Sequence, residues 1–224
     1  MTLTEDLTKL SAQMQAKLPE EVMALFEQAG RELLTSGMAK QAIKTGDLMP
    51  TFTLPNGHQQ LISSQNLLKA GPLVISFYRG GWCPYCSLEL QALRKALREM
   101  QDSGAQLVAI SPETPDHSLS TQQINDLGFE VLSDAQNQLA RQFGLVFNLP
   151  DYLRPVYEQL GIDLQTSNGN SDFELPIPAT YVVNTEGIII HSFVNPDYTQ
   201  RQNPQDLLPI LQNLKTASVP ITQS

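Results

Sequence analysis

Cys83 and Cys86 are the only two cysteines in this chain of 224 residues, and they stand three apart in Arg79-Gly-Gly-Trp-Cys-Pro-Tyr-Cys86. On a helical turn that spacing puts both side chains on one face, close enough to bridge. The chemistry open to such a pair is dithiol–disulfide exchange: a thiolate attacks an oxidised sulfur or oxygen, and the second thiol closes the ring. Attack requires a thiolate at neutral pH. A Cys-x-x-Cys pair at a helix N-terminus supplies one, because the thiol pKa there falls from about 8.5 to roughly 3.5–7.5. Two competing readings are weaker. The pair could be structural and inert, and half a zinc site would need further ligands. The chain has no other cysteine, and His58, His117 and His191 are scattered without metal-ligand spacing. The expectation is therefore a redox pair that needs no metal or resident cofactor and draws electrons from an external thiol.

The elements around the pair are those such a site needs. Leu73-Val-Ile-Ser-Phe-Tyr78 is an apolar, β-prone run of the kind buried on both faces of a sheet. Gly80 and Gly81 then permit a sharp turn. After Cys86 the period changes, with Leu90, Leu93, Leu97 and Met100 at helical spacing. The cysteines thus fall where a strand hands over to a helix, among unpaired amides and the positive end of the helix dipole. Pro84 suits an early helical position, where its missing N–H is no loss. Trp82 and Tyr85 either border the dithiol or fill core. Arg79 either sits near a thiolate or is a solvated or salt-bridged loop residue.

Further strand signals lie at Phe52–Leu54, Leu107–Ser111 and Phe129–Leu132. Helical stretches are expected over about 118–127, 136–143 and 206–215. Thr180–Asn184 and Ile188–Val194 read as a closing hairpin. The β-α-β-α alternation predicts an α/β fold with parallel strands. Residues 1–45 read as a helical extension, with Thr4 as N-cap of the first helix and a second helix starting at Pro19-Glu20-Glu21. Its apolar stripe (Val22, Leu25, Phe26, Ala29, Leu33) either docks on the core or builds a homodimer interface. Residues 46–216 form the redox unit, with an aromatic and proline-rich insertion over about 145–175, and 217–224 form a flexible tail.

Composition bounds the rest. A net charge of −9 argues against a nucleic-acid face. Two cysteines in a chain this long fit a reducing compartment better than a disulfide-stapled secreted protein. With Glu5 and Asp6 at the N-terminus and no long apolar run, the expectation is a cytoplasmic protein without membrane spans.

Trp82-Cys-Pro-Tyr-Cys86 resembles the active-site motif of thioredoxin-fold proteins, in the variant typical of glutaredoxins. The surrounding chain resembles the alkyl hydroperoxide reductase/thiol-specific antioxidant family, the peroxiredoxins, over about residues 46–215. Gly46–Pro55 is similar to that family's entry segment, and Ile110–Thr114 and Phe129–Asp134 to its second and third strand regions. The resemblance implies a thioredoxin-like fold with a central mixed sheet flanked by helices. It also implies a thioredoxin-like or glutathione reducing system as partner. Pro178 resembles the cis-proline that lies against the active-site disulfide of such folds, with a trans proline starting a strand as the alternative.

Two departures bear on mechanism. Laid on the family pattern P-x-x-x-T-x-x-C, Cys86 matches the peroxidatic cysteine, but Cys83 stands for the threonine, Arg79 for the proline and Pro178 at about the arginine. The peroxide-activating donors are thus missing at the matching positions. Phe77 stands where thioredoxins carry a buried acid, which leaves Glu89 and Glu113 as weak candidates for proton transfer; Glu89 reads more simply as a solvated helix position. The leading expectation is a thiol–disulfide oxidoreductase, acting on protein disulfides or peroxides, with Cys83 as the exposed, low-pKa attacker and Cys86 resolving. The alternatives are a thioredoxin-dependent peroxidase attacking through Cys86, and a non-catalytic binding module switched by its disulfide.

Overall fold

The computed structural model describes residues 2–217. Helices α1 (Leu3–Lys17), α2 (Glu20–Thr35) and α3 (Met38–Gln41) come first. A hairpin of β1 (Thr53–Pro55) and β2 (Leu61–Ser63), then α4 (Ser64–Ala70), leads into β3 (Leu73–Phe77). There follow α5 (Pro84–Asp102), β4 (Gln106–Ser111), α6 (Pro115–Ile124), β5 (Glu130–Ser133) and α7 (Gln138–Gln142). The segment β6 (Val146–Asn148), α8 (Arg154–Gln159), α9 (Leu164–Asn168) and β7 (Glu174–Pro176) precedes the last hairpin. That hairpin is β8 (Ala179–Val183) and β9 (Ile189–Val194), and α10 (Leu208–Ala217) ends the described chain. The tail expected over 217–224 lies outside the described residues apart from Ala217.

The central sheet is mixed, in the order β5-β4-β3-β8-β9. Strands β3, β4 and β5 run parallel, whereas β8 and β9 are antiparallel to their neighbours. β3 lies in the middle and is buried along its whole length, as its unbroken apolar run requires. Strand alternation divides its side chains between two cores. Val74 joins Cys83, Cys86, Leu90 and Leu93 on the α5 side, while Leu73, Ile75 and Phe77 join Val108, Phe143 and Tyr181 on the other. Phe77 is therefore on the face away from the cysteines, packed against the rings of Phe143 and Tyr181.

The N-terminal helices dock, as one of the two readings of their stripes held. α1 buries Leu3 and Leu7 in the cluster that contains both cysteines, and each such burial stabilises by about 1.5–3 kcal/mol. Its cap is Thr2 rather than Thr4: the Thr2 hydroxyl accepts from the Glu5 amide, and Glu5 returns a carboxylate to the Thr2 amide. Reciprocal bonding of this kind satisfies two amides at once, which a cap at Thr4 would leave unpaired. Val22, Leu25, Phe26 and Ala29 of α2 pack on Leu149, Leu153, Val156 and Tyr157, so the apolar part of the 145–175 segment is covered by the N-terminal hairpin. Helix α6 starts at Pro115, three residues before its expected start, because Pro is accommodated at its first turn. No described helix is long and apolar enough to cross a membrane.

Candidate active site

The turn between β3 and α5 sets the site. Gly81 is packed so tightly that a Cβ there would lie 2.1 Å from Thr121 Oγ1, and its amide donates to Glu113. Cys83 is the N-cap of α5 in extended conformation, and Pro84 occupies the first helical position. Cys86 follows on the first turn. Both cysteines are free and both are completely buried. The exposed attacker expected at Cys83 is thus not what the fold presents, because Leu3 and Leu7 of α1, Tyr85 and Leu90 belong to the same apolar cluster.

Each sulfur has its own guanidinium. Arg79 Nη2 lies 3.1 Å from Cys83 Sγ, and Nη1 donates to the Tyr157 hydroxyl at 3.2 Å. The guanidinium carbon sits 4.0 Å from the ring centroid of Tyr198 and 5.2 Å from that of Trp82. Arg79 is thereby held in an aromatic box, desolvated and aimed at the first cysteine. Of its two sequence readings, the one beside a thiol is the one found. Arg201, from the loop after β9, places Nη2 3.4 Å from Cys86 Sγ. Its Nε pairs with Glu89 Oε2 at 2.7 Å, and Nη1 donates to the carbonyls of Tyr198 and Gln200. The other Glu89 oxygen accepts from the Thr180 hydroxyl of β8. Glu89 is only 2 % exposed. The solvated helix position expected there is instead one half of a buried ion pair, because Glu89 stands one turn after Cys86 on the same face of α5.

The electrostatics separate the two thiols. Burial alone pushes Cys83 up; the hydrogen bond with Cys86 and the charges of Arg79 and Arg201 outweigh it and hold Cys83 well below the usual thiol range. Burial, together with the neighbouring Cys83, pushes Cys86 well above that range. A buried pair of this kind ionises as a unit, and Arg79 beside Cys83 favours the first negative charge on that side. Burial also raises the Glu89 carboxyl to about 7 despite Arg201 beside it. Glu113 is raised by burial too, and accepts from Thr121 and, more weakly, from Tyr78.

Among the remaining residues singled out by sequence, Trp82 is half-buried and meets Tyr157 edge-on at 5.6 Å. Tyr85 is buried, its hydroxyl 3.1 Å from Ser11 Oγ of α1 and its ring edge-on to Tyr198. Pro84 is exposed. Pro178 departs from expectation: no described peptide bond is cis, so Ile177–Pro178 is trans. A trans bond is the default for X-Pro, and Ile177 donates its amide to Leu145 in extended register just before β8 begins. Two residues of the site, Tyr198 and Arg201, carried no sequence signal for it, whereas Glu89 stood only as a weak proton-transfer candidate and Tyr157 only as one aromatic of the 145–175 insertion. Their types are ordinary, and only the fold brings them together. No group of His, Cys, Asp and Glu able to hold a metal occurs among the described residues.

The AhpC/TSA family model matches residues 45–192. Peroxiredoxin Q of the Triticum aestivum chloroplast is 23% identical over 198 residues, which is 88% of this chain and 80% of that one. The crystal structure of peroxidoxin BcpB from Mycobacterium tuberculosis superposes with a TM-score of 0.60 at 21% identity, covering 79% of this chain and 99% of that one. A peroxiredoxin-like protein from Aquifex aeolicus gives 0.61 at 16%, over 77% and 88%. At those identities the structural likeness concerns the fold. The family match ends before Tyr198 and Arg201, so part of the wall around the sulfurs lies outside it. With the family's matched stretch running through the central sheet and the cysteine turn, the chain is a member of the AhpC/TSA family, and its enzymology is that of a thiol-dependent oxidoreductase.

Proposed function

We propose that the protein is a thiol peroxidase in which Cys83 attacks the peroxide and Cys86 resolves the product. The observation that carries this reading is the Arg79 guanidinium 3.1 Å from Cys83 Sγ, with no equivalent preference for a thiolate at Cys86. The Cys83 thiolate attacks the terminal oxygen of ROOH, the O–O bond breaks, and RO⁻ takes a proton and leaves as ROH. The resulting Cys83 sulfenic acid is attacked by the Cys86 thiol; water leaves and the disulfide closes. An external dithiol of thioredoxin type, or two molecules of a small thiol such as glutathione, returns both sulfurs to the reduced state and is itself oxidised. The complete burial of both sulfurs favours a small oxidant, since a protein disulfide must bring its own sulfur to bonding distance. The Thr and Arg donors of the family pattern, absent here at the matching positions, are replaced, in this reading, by Arg79 and Arg201. Trp82, Tyr85, Tyr157 and Tyr198 form the wall, and residues 46–216 carry the chemistry with 1–45 as its cover.

The test is sulfenic-acid trapping after hydrogen peroxide in Cys83→Ser and Cys86→Ser variants, with steady-state turnover on hydrogen peroxide, an organic hydroperoxide and insulin disulfide. Cys86→Ser should accumulate a trapped Cys83 sulfenic acid, and Cys83→Ser should accumulate almost none. Rapid trapping at Cys86 alone would reverse the assignment of the sulfurs. Turnover on insulin with none on either peroxide would replace the peroxidase by a disulfide reductase.

A further inference from the structure

Arg79 is 6 % exposed and forms no ion pair with a carboxylate among the described residues. Its contacts are the Cys83 sulfur, the neutral Tyr157 hydroxyl and the faces of Trp82 and Tyr198. Its Nε–H is buried with no partner among the described residues. The second arginine differs: Arg201 has a carboxyl partner in Glu89, which does not take part in disulfide formation. In the reduced protein the Cys83 thiolate balances Arg79. Closure to Cys83–Cys86 removes that charge, because a disulfide is neutral, and leaves a buried cation with no anion. An isolated buried charge is strongly unfavourable, so the oxidised site must acquire a compensating one.

We propose that disulfide formation turns the Arg79 guanidinium, bordered by Trp82, Tyr157 and Tyr198, into a receptor for a small anion, and that its working ligand is the thiolate of the reductant. This rests on the reading of Cys83 as the sulfur that cycles between thiolate and disulfide. The recruited RS⁻ attacks Cys83 Sγ and the Cys83–Cys86 bond breaks. The electron pair leaves on Cys86 Sγ, 3.4 Å from the Arg201 guanidinium, where a proton from solvent neutralises it. A second thiolate attacks the R sulfur of the mixed disulfide, forming RSSR and releasing the Cys83 thiolate, so Arg79 recovers its original anion. Each half-cycle therefore begins with one anion beside Arg79: the protein's own thiolate for the oxidant, and the reductant's thiolate for the disulfide.

Equilibrium measurements with a non-reducing anion test this without any peroxide. The midpoint potential of the Cys83–Cys86 couple is measured in dithiothreitol buffers while chloride replaces gluconate, a much larger anion, at constant ionic strength and pH. An anion that binds only the oxidised form stabilises the disulfide. Above half-saturation, each tenfold rise in chloride should then favour it tenfold, a fall of about 30 mV. Arg79→Lys keeps the charge and should keep the slope, whereas Arg79→Gln should abolish it. A potential independent of chloride in the wild-type protein overturns the proposal, whatever the variants do, and so does an equal slope in Arg79→Gln. A chloride slope in a protein with no peroxidase turnover would leave the anion site standing and sink only the peroxidase reading.

Discussion

Replacing Glu89 by leucine removes the carboxylate of the buried pair and keeps most of its volume. Arg201, 1 % exposed at its side chain, would then hold its charge without a carboxylate partner. Leaving one member of a buried pair uncompensated costs about 3–5 kcal/mol. For a chain of 224 residues the unfolding entropy, about 2.1 cal/mol/K per residue, converts each kcal/mol into roughly 2 °C, so Tm should fall by about 6–11 °C. The double variant Glu89→Leu/Arg201→Met removes both charges. It should recover most of the loss, since apolar residues of similar volume commonly replace a buried ion pair without penalty. The assay is thermal and urea unfolding of the reduced protein at pH 8, where Glu89 is ionised, on wild type, both single variants and the double. If Glu89→Leu costs less than about 1 kcal/mol, water reaches Arg201 and the pair is not buried in solution. If the double variant is as unstable as the single, the cost is packing and the charge argument fails.

Three further outcomes follow from the same geometry. Arg79→Gln removes a charge-assisted hydrogen bond to the Cys83 thiolate worth about 1.5–3 kcal/mol, so the rate of Cys83 sulfenic-acid formation at pH 7 should fall roughly 10- to 150-fold; an unchanged rate would mean that Arg79 does not hold the thiolate. The Glu89 carboxyl titrates at about 7 in the fold against 4.5 for a free carboxyl, so the folded state binds the extra proton between those values. Stability from this group is fully present below about pH 4.5 and is lost as pH rises through 7, on the order of 3 kcal/mol. Urea titrations of Glu89→Gln at pH 5 to 8 should lack that part of the slope, and a profile identical to wild type would refute it. Leu7→Ala should cost about 2–5 kcal/mol, because Leu7 is buried in the cysteine cluster. It should also speed maleimide labelling of the reduced pair, and unchanged labelling would show that α1 does not cover the sulfurs.

Local patterns announced the parts of the site that are local. The switch from an apolar run to helical spacing located β3 and α5, and the glycines and Pro84 between them located the turn and the cysteine at the helix cap. Chain-distant parts left no such trace. Arg201 lies in a loop whose composition says nothing of Cys86, and Tyr157 was legible only as one aromatic in an elaborate segment. Glu89 was misread because a carboxylate on a helix is usually solvated, and the partner that permits its burial is 112 residues away. Cys83 was expected to be exposed by likeness to thioredoxins; here α1, much earlier in the chain, packs into the same apolar cluster. Pro178 shows a different limit, since the step into a strand is written the same way in sequence for a cis or a trans bond.

The distance along the chain between Cys86 and Arg201 has a consequence for biosynthesis. The two are 115 residues apart, which at translation speeds of about 5–20 residues per second is roughly 6–23 s. During that interval the residues of the strand, the turn and the cysteine helix have been synthesised, but the guanidinium that pairs with Glu89 and faces Cys86 has not. A nascent chain therefore carries its dithiol before it carries the full set of charges that tunes it. A ribosome stalled before Arg201 would display the cysteine pair without the guanidinium that lies beside Cys86 in the fold.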